Sequence, residues 1–269
     1  MKKLFTISLI LFSALFISGC IEVDTSVNLN KDGSGTIEEK ILMSGAMISM
    51  LKEFTNAFAS DSSKKEEFNI YDPKELESKA STYGEGVKFV SGEKIKDGER
   101  EGFKAVYSFT DINKLKLDQN PGSQVPMGMG SEANEKKELF TFQFEPGNPA
   151  NVIIHMPKNQ MKEKEEETEK DTSQNSQENI EKVKEIMKDM KISLKLNING
   201  KITSTNASYV NGSNITLFKI NFNDLLDNPE KLKELQSKNP QSLEEMRELV
   251  KGIKGIKIEF NNPVEVSFN

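Results

Sequence analysis

Tryptophan is absent from this chain, and cysteine and histidine occur once each. A single cysteine cannot close an intrachain disulfide, so stability must come from packing. A single histidine excludes the His-Glu-x-x-His metal site, and neither a Gly-x-Ser-x-Gly elbow nor a phosphate-binding glycine loop with its lysine occurs. That histidine, His155, falls in an apolar strand pattern on the face opposite Val152 and Ile154. No nucleophile is placed beside it as a triad requires. Without tryptophan, the aromatic platform usual in sugar hydrolases is missing. Paired-carboxylate hydrolysis stays open only because Asp and Glu number 42. Positive charge is not in excess, with 36 Lys and Arg and a net charge of −6, so the basic patch that nucleic-acid binding needs is lacking. Long apolar runs are also lacking, except at the N-terminus.

There, Lys2 and Lys3 precede the apolar stretch Leu4 to Phe16. At about 13 residues it falls short of the ~20 that a permanent membrane helix needs, so removal is expected. The run ends in Leu15-Phe16-Ile17-Ser18-Gly19-Cys20. This resembles a bacterial lipoprotein signal peptide, in which an aliphatic-small-Gly-Cys box is lipidated on the thiol and cleaved before the cysteine. Residues 1–19 are then the signal, Ile17, Ser18 and Gly19 the peptidase box, and Cys20 the lipidated residue. Each buried methylene contributes about 0.8 kcal/mol, and stable anchoring takes more than one chain. The several acyl chains (palmitate among them) typical of that class would make attachment effectively permanent. Two alternatives stay open: ordinary secretion with a chance cysteine at the boundary, and an uncleaved N-terminal anchor. Ile21 rather than Asp after the cysteine resembles outer-membrane sorting, so the expected location is the cell membrane or outer membrane, lipid-anchored and extracytoplasmic.

Past Cys20 the pattern is mostly strands. Ile21, Val23, Thr25, Val27 and Leu29 alternate with polar residues, Lys31 to Gly35 turns, and a second strand passes Ile37 and Ile41. From Ser44, a plausible N-cap, Met47, Met50, Leu51, Phe54 and Phe58 recur at helical spacing. Asp72-Pro73-Lys74-Glu75 opens a second helix with Leu76, Ala80 and Tyr83 on one face, stopped at Gly84. Strands are predicted at 87–95 and 103–109, at Phe140 to Phe144 and at Val152 to Met156, with a loop at Pro121 to Gly130. Residues 158–178 are dense in charge and read as a flexible insertion, followed by a short helical face from Ile180 to Met190. Asn199-Gly200 is the best hairpin signal. With Asn211-Gly212 it predicts a meander of Ile192–Ile198, Ile202–Tyr209 and Ile215–Phe222. Helices open at Asn228-Pro229 and Ser242, and one strand, bent at Pro263, ends the chain. The expected fold class is α+β, antiparallel sheet built from hairpins with amphipathic helices packed on it. Its organisation is 20–157 and 179–269, separated by the insertion. The two parts form two lobes or share one sheet.

Three motifs suggest chemistry. Asn30-Lys31-Asp32-Gly33-Ser34-Gly35 opens like a calcium loop, which needs a bidentate glutamate at its twelfth position. Counted from Asn30 that position is Ile41; counted from Asn28 it is Glu39, but Gly35 then falls where an aliphatic residue belongs. A glycine-rich hairpin turn explains the residues without metal. Met127, Met129, Met156 and Met161 offer soft thioethers to Cu(I), although methionines in a loop more often fill gaps. The stripe of Met47, Met50, Leu51, Phe54 and Phe58 is either core or an apolar ligand face. Its polar side holds few basic residues, which argues against a membrane-surface helix. Neither a metal nor an organic cofactor is expected.

Two stretches carry a further resemblance: Cys20-Ile21-Glu22-Val23-Asp24 through the Asp32-Gly33-Ser34-Gly35 turn, and Gly200 to Ala207 with Asn211-Gly212-Ser213-Asn214-Ile215-Thr216-Leu217. Together they are similar to envelope lipoproteins of the LppM-like class, with Leu217 standing where that class often has tryptophan. The resemblance implies an envelope lipoprotein and carries no catalytic residue. The expected function is a non-enzymatic binding module for an envelope component, a lipid or other apolar ligand, anchored in the membrane through Cys20. The alternatives are an envelope assembly protein that meets another protein, and a carboxylate hydrolase.

Overall fold

The computed structural model describes residues 21–58, 69–118, 139–157, 188–238 and 243–269. Expectations for the signal and Cys20, the loop at 121–130, the insertion at 158–178, Met127, Met129, Met161 and the Ser242 cap lie outside these residues. So do the side chains of Phe54 and Phe58.

β1 (Ile21–Leu29) buries Val23, Thr25, Val27 and Leu29 on one face, as its alternation dictates. The chain turns back into β2 (Gly35–Ser44), Asn28 opposite Thr36 and Ile21 opposite Met43. Inside the turn, Asp32 Oδ1 accepts from the Ser34 amide at 3.0 Å and its hydroxyl at 2.6 Å. Gly33 holds φ +83°, and a Cβ there would lie 2.7 Å from the Phe144 ring. Only glycine serves both needs at once. β2 runs into α1 (Gly45–Phe58), with the Ser44 hydroxyl accepting from the Met47 amide at 3.2 Å. α2 (Pro73–Lys79) has Asp72 as N-cap and proline in its first turn, and passes into a 3-10 turn at Ala80–Tyr83 that stops at Gly84. β3 (Lys88–Asp97) and β4 (Arg100–Phe109) form a hairpin beside β2. β5 (Lys116–Asp118), β6 (Leu139–Glu145) and β7 (Ala150–His155) make a second sheet.

After 188 come β8 (Lys191–Ile198), β9 (Ile202–Thr205), β10 (Val210–Asn211) and β11 (Asn214–Asn221). Helices α3 (Phe222–Leu226), α4 (Pro229–Ser237) and α5 (Leu243–Val250) follow, then β12 (Ile256–Ile258) and β13 (Val264–Phe268). The larger sheet has the order β10-β11-β8-β1-β2-β4-β3, with β12 also on β11, and the smaller is β5-β6-β7-β13-β9. The fold is α+β with mostly antiparallel strands. One pair is parallel: β1 lies beside β8, Glu22 opposite Lys191 through Leu29 opposite Ile198. β7 pairs with β13 in the other sheet. The parts before and after the charged segment therefore share both sheets.

Two expectations fail at the same step. Ile198 and Ile202 do not form a hairpin, and Ile258 and Val264 do not belong to one strand; each time the chain crosses between sheets. β9 has a single apolar residue, Ile202, which suits the edge of the smaller sheet. β11 buries Ile215 and Leu217 and so takes the place beside β8. The Asn-Gly pair fixes the turn but not the partner. A Cβ on Gly200 would meet the Asn269 carbonyl at 2.4 Å, and Lys201 and Asn269 exchange backbone hydrogen bonds of 2.8 and 3.0 Å. The core lies between the sheets' facing sides, where Phe140 of β6 stacks on Phe218 of β11 with ring centres 6.3 Å apart.

Candidate functional site

The apolar stripe of α1 divides in two. Met47 and Leu51 are buried in the core, whereas Met50 is 39% exposed. Because Ser44 ends β2 next to the start of β1, α1 leaves the sheet at the end where Ile21 follows Cys20. Between the sheets, Val23, Thr25, Ile192, Ser193, Leu194 and Phe218 of the larger sheet face Leu117 and Asp118 of the smaller across a gap of about 10 Å³. That is room for about one water.

A polar cluster lies beneath α2. Glu39 occupies an inward position of β2, between Ile37 and Ile41, and is 0% exposed. Its Oε1 accepts from Lys79 Nζ at 2.6 Å, an ammonium whose side chain is 19% exposed. Tyr83 and Tyr107 stand beside it with ring centres 5.0 Å apart. Burial, then the Glu39 charge, pushes both phenols above their ordinary 10.0. Glu39 Oε2 and the two tyrosine hydroxyls have no hydrogen-bond partner among the described residues, although Tyr83 lies close enough for the carboxylate to act on its ionisation. The ion pair joins α2 to the sheet, and its charges balance. The sequence does signal this cluster: a charged residue at the buried parity of an alternating strand demands a partner.

One solved structure resembles the chain, weakly. It is the folded domain of the Mycobacterium tuberculosis LppM protein, determined by NMR, with a TM-score of 0.35 and 11% identity over 95% of this chain and 93% of that one. No family model matches the sequence. No curated protein matches it either.

The Thr205-Asn206-Ala207 stretch is a stitched loop. Thr205 Oγ1 accepts from the Ala207 amide and donates to the Glu265 carbonyl at 2.7 Å, and Asn206 bonds the backbone of Glu265 and Pro263. Glu259, also buried, accepts from the Ser208 amide and hydroxyl and from the amides of Phe260 and Asn261. These carboxylate hydrogen bonds serve the loop, while the Glu259 amide donates to the Leu217 carbonyl at 2.9 Å. His155 lies opposite Thr141, its Nε2 buried and without a hydrogen-bond partner among the described residues. Met156 packs on the core and exchanges hydrogen bonds with the Asn262 side chain. Among the described residues, no group of three His, Cys, Asp or Glu is placed to hold a metal. No described helix is long and apolar enough to cross a membrane.

Proposed function

We propose that this chain is a bacterial envelope lipoprotein, anchored by lipid on Cys20 after loss of residues 1–19, and that its domain is a non-enzymatic binding module for an apolar envelope component. The observation that carries the reading is adjacency. The first strand begins at Ile21, the residue after the cysteine, and is central in the larger sheet. Consecutive Cα atoms lie about 3.8 Å apart, so a lipid on Cys20 brings the domain against the bilayer with no tether. The Leu15 to Cys20 box supports the anchor. The gap bounded by Val23, Leu117, Ile192, Leu194 and Phe218, with Thr25, Asp118 and Ser193 as its polar members, is where the two sheets meet without filling the space, and it is where an apolar ligand would enter. Separating the sheets there would open a slot of apolar side chains with a few polar groups to orient a ligand.

Native mass spectrometry of the detergent-extracted full chain tests this reading. The expected result is a defined lipid or other apolar molecule that co-purifies and is lost in a Leu194→Trp variant, whose bulk fills the gap. A protein that keeps its fold and releases only detergent would refute the ligand. Retention of the ligand by the Leu194→Trp protein would place the site elsewhere.

A further inference from the structure

We infer that the end of the larger sheet that carries Ile21 is a membrane-contacting face and that its occupant is the lipid bilayer surface; this rests on the anchoring at Cys20 proposed above. Register fixes what gathers there. Ile21 starts β1 opposite Met43, Ser44 ends β2 opposite Arg100 at the start of β4, and Lys191 starts β8 opposite Glu22 and Asn221. Two of these strand ends lead straight into helices, Ser44 into α1 and Asn221 into α3. The twenty residues preceding the described structure end at this same place.

The surface has the composition an interface requires. The first turns of α1 expose Gly45, Ala46, Ser49 and Met50 with no charge among them. Beside them Ile21, Met190 and Phe222 are half-buried, Phe222 donating its amide to the Met190 carbonyl at 3.0 Å. Lys188 and Lys191 are exposed at the rim. Apolar side chains ringed by lysines suit the headgroup region, with the methylenes inside and the ammonium groups at the phosphates. Acidic groups at this end are partly neutralised. Arg100 bonds both Glu22 and Asp97, and Lys40 also pairs with Glu22. Two exposed acids remain at this end, Glu99 in the β3–β4 turn and Glu101, the latter paired with Lys96 at 3.0 Å.

The other end of the sheet is different. It holds the Asn30 to Ser34 turn, Asn199-Gly200 and the exposed Asn211-Gly212 turn, all polar. Nine-residue β1 spans the distance between the ends. At about 3.3 Å per residue they are roughly 26 Å apart, so a sheet standing on its Ile21 end holds the other end clear of the bilayer.

The experiment uses the full chain with Cys20 intact, reconstituted in vesicles of phosphatidylcholine and phosphatidylglycerol. A spin label is placed through Met50→Cys in one protein and Asn211→Cys in another, both at exposed positions. The expected result is that the Met50 label meets oxygen more readily than a water-soluble nickel chelate, and the Asn211 label the reverse. If the vesicle-bound protein shows both labels equally open to the chelate, the face is refuted while the anchor stands. If the protein does not float with the vesicles, or the mass of its Cys20 peptide shows no acyl chain, the anchor and the face fall together. A Met50→Cys protein that fails to fold is replaced by Ser49→Cys, one residue earlier on the same exposed turn.

Discussion

Replacing Lys79 with methionine keeps the aliphatic stem and removes the charge from a carboxylate that has no exposed surface. In the wild type Glu39 Oε1 receives the ammonium at 2.6 Å. Deprived of it, a fully buried carboxylate is left unpaired, a change that costs about 3–5 kcal/mol. Tyr83 and Tyr107 lie next to the carboxylate, and their unused hydroxyls can turn to donate to it once the ammonium is gone. They place the expected loss for Lys79→Met near the lower end, about 3 kcal/mol. For a domain of this size each kcal/mol shifts the midpoint by about 2–4 °C, so Tm should fall by about 6–12 °C. Adding Glu39→Gln removes the stranded charge and should recover at least about 1 kcal/mol. Urea unfolding at pH 7, followed by circular dichroism with wild type, both single variants and the double, measures all terms. A Lys79→Met protein within about 1 kcal/mol of wild type, or one no less stable than the double variant, would refute the argument that Lys79 holds Glu39 in a buried pair.

Further outcomes follow from other sites. Tyr83 and Tyr107, two of four tyrosines, have raised folded-state pKa values. The stability they contribute is intact below pH 10 and lost as pH rises above it, so absorbance at the phenolate band should show them ionising only with unfolding. Tyr107→Phe should flatten that alkaline loss. Burial pushes Glu22 up, but Lys40 and Arg100 together outweigh it and hold the carboxyl below 4.5. Its contribution is present above pH 4.5 and lost as pH falls below it, and Glu22→Gln should make acid unfolding less steep through that window. Gly33→Ala forces a positive φ on a residue with a Cβ and drives that atom toward the Phe144 ring. It should cost about 2 kcal/mol or more, whereas Gly212→Ala, where the turn is open, should cost only its backbone strain; thermal melts of the two distinguish them.

Much of the fold is legible in the sequence because alternation states which residues face inward. The strands at Ile21–Leu29, Phe103–Phe109 and Phe140–Phe144 and the helix at Asp72-Pro73 all carry that local signal, and each forms. Pairing is another matter. β1 meets β8 across 169 residues at Asn28 and Asn197, whose side chains bond at 2.9 Å, and neither strand contains anything that names the other. Asn199-Gly200 specifies a turn, yet the turn leads from one sheet to the other. The site was legible only in part. The stripe on α1 is visible in the sequence, but that Met47 and Leu51 face the core while Met50 faces solvent depends on where the second sheet lies. Glu39 had a readable signal, a charge at buried parity. Lys79, its partner forty positions later, had none.

The central claim is that lipid on Cys20 holds this domain at a membrane. Tryptic digestion of the membrane fraction, extracted in organic solvent and read by mass spectrometry, should yield the peptide Cys20 to Lys31 as the new N-terminus, carrying a thioether-linked diacylglycerol. The same peptide should be absent from a Cys20→Ser protein, which should leave the membrane fraction. Recovery of Cys20 as a free thiol, or retention of Cys20→Ser on the membrane, would contradict the account.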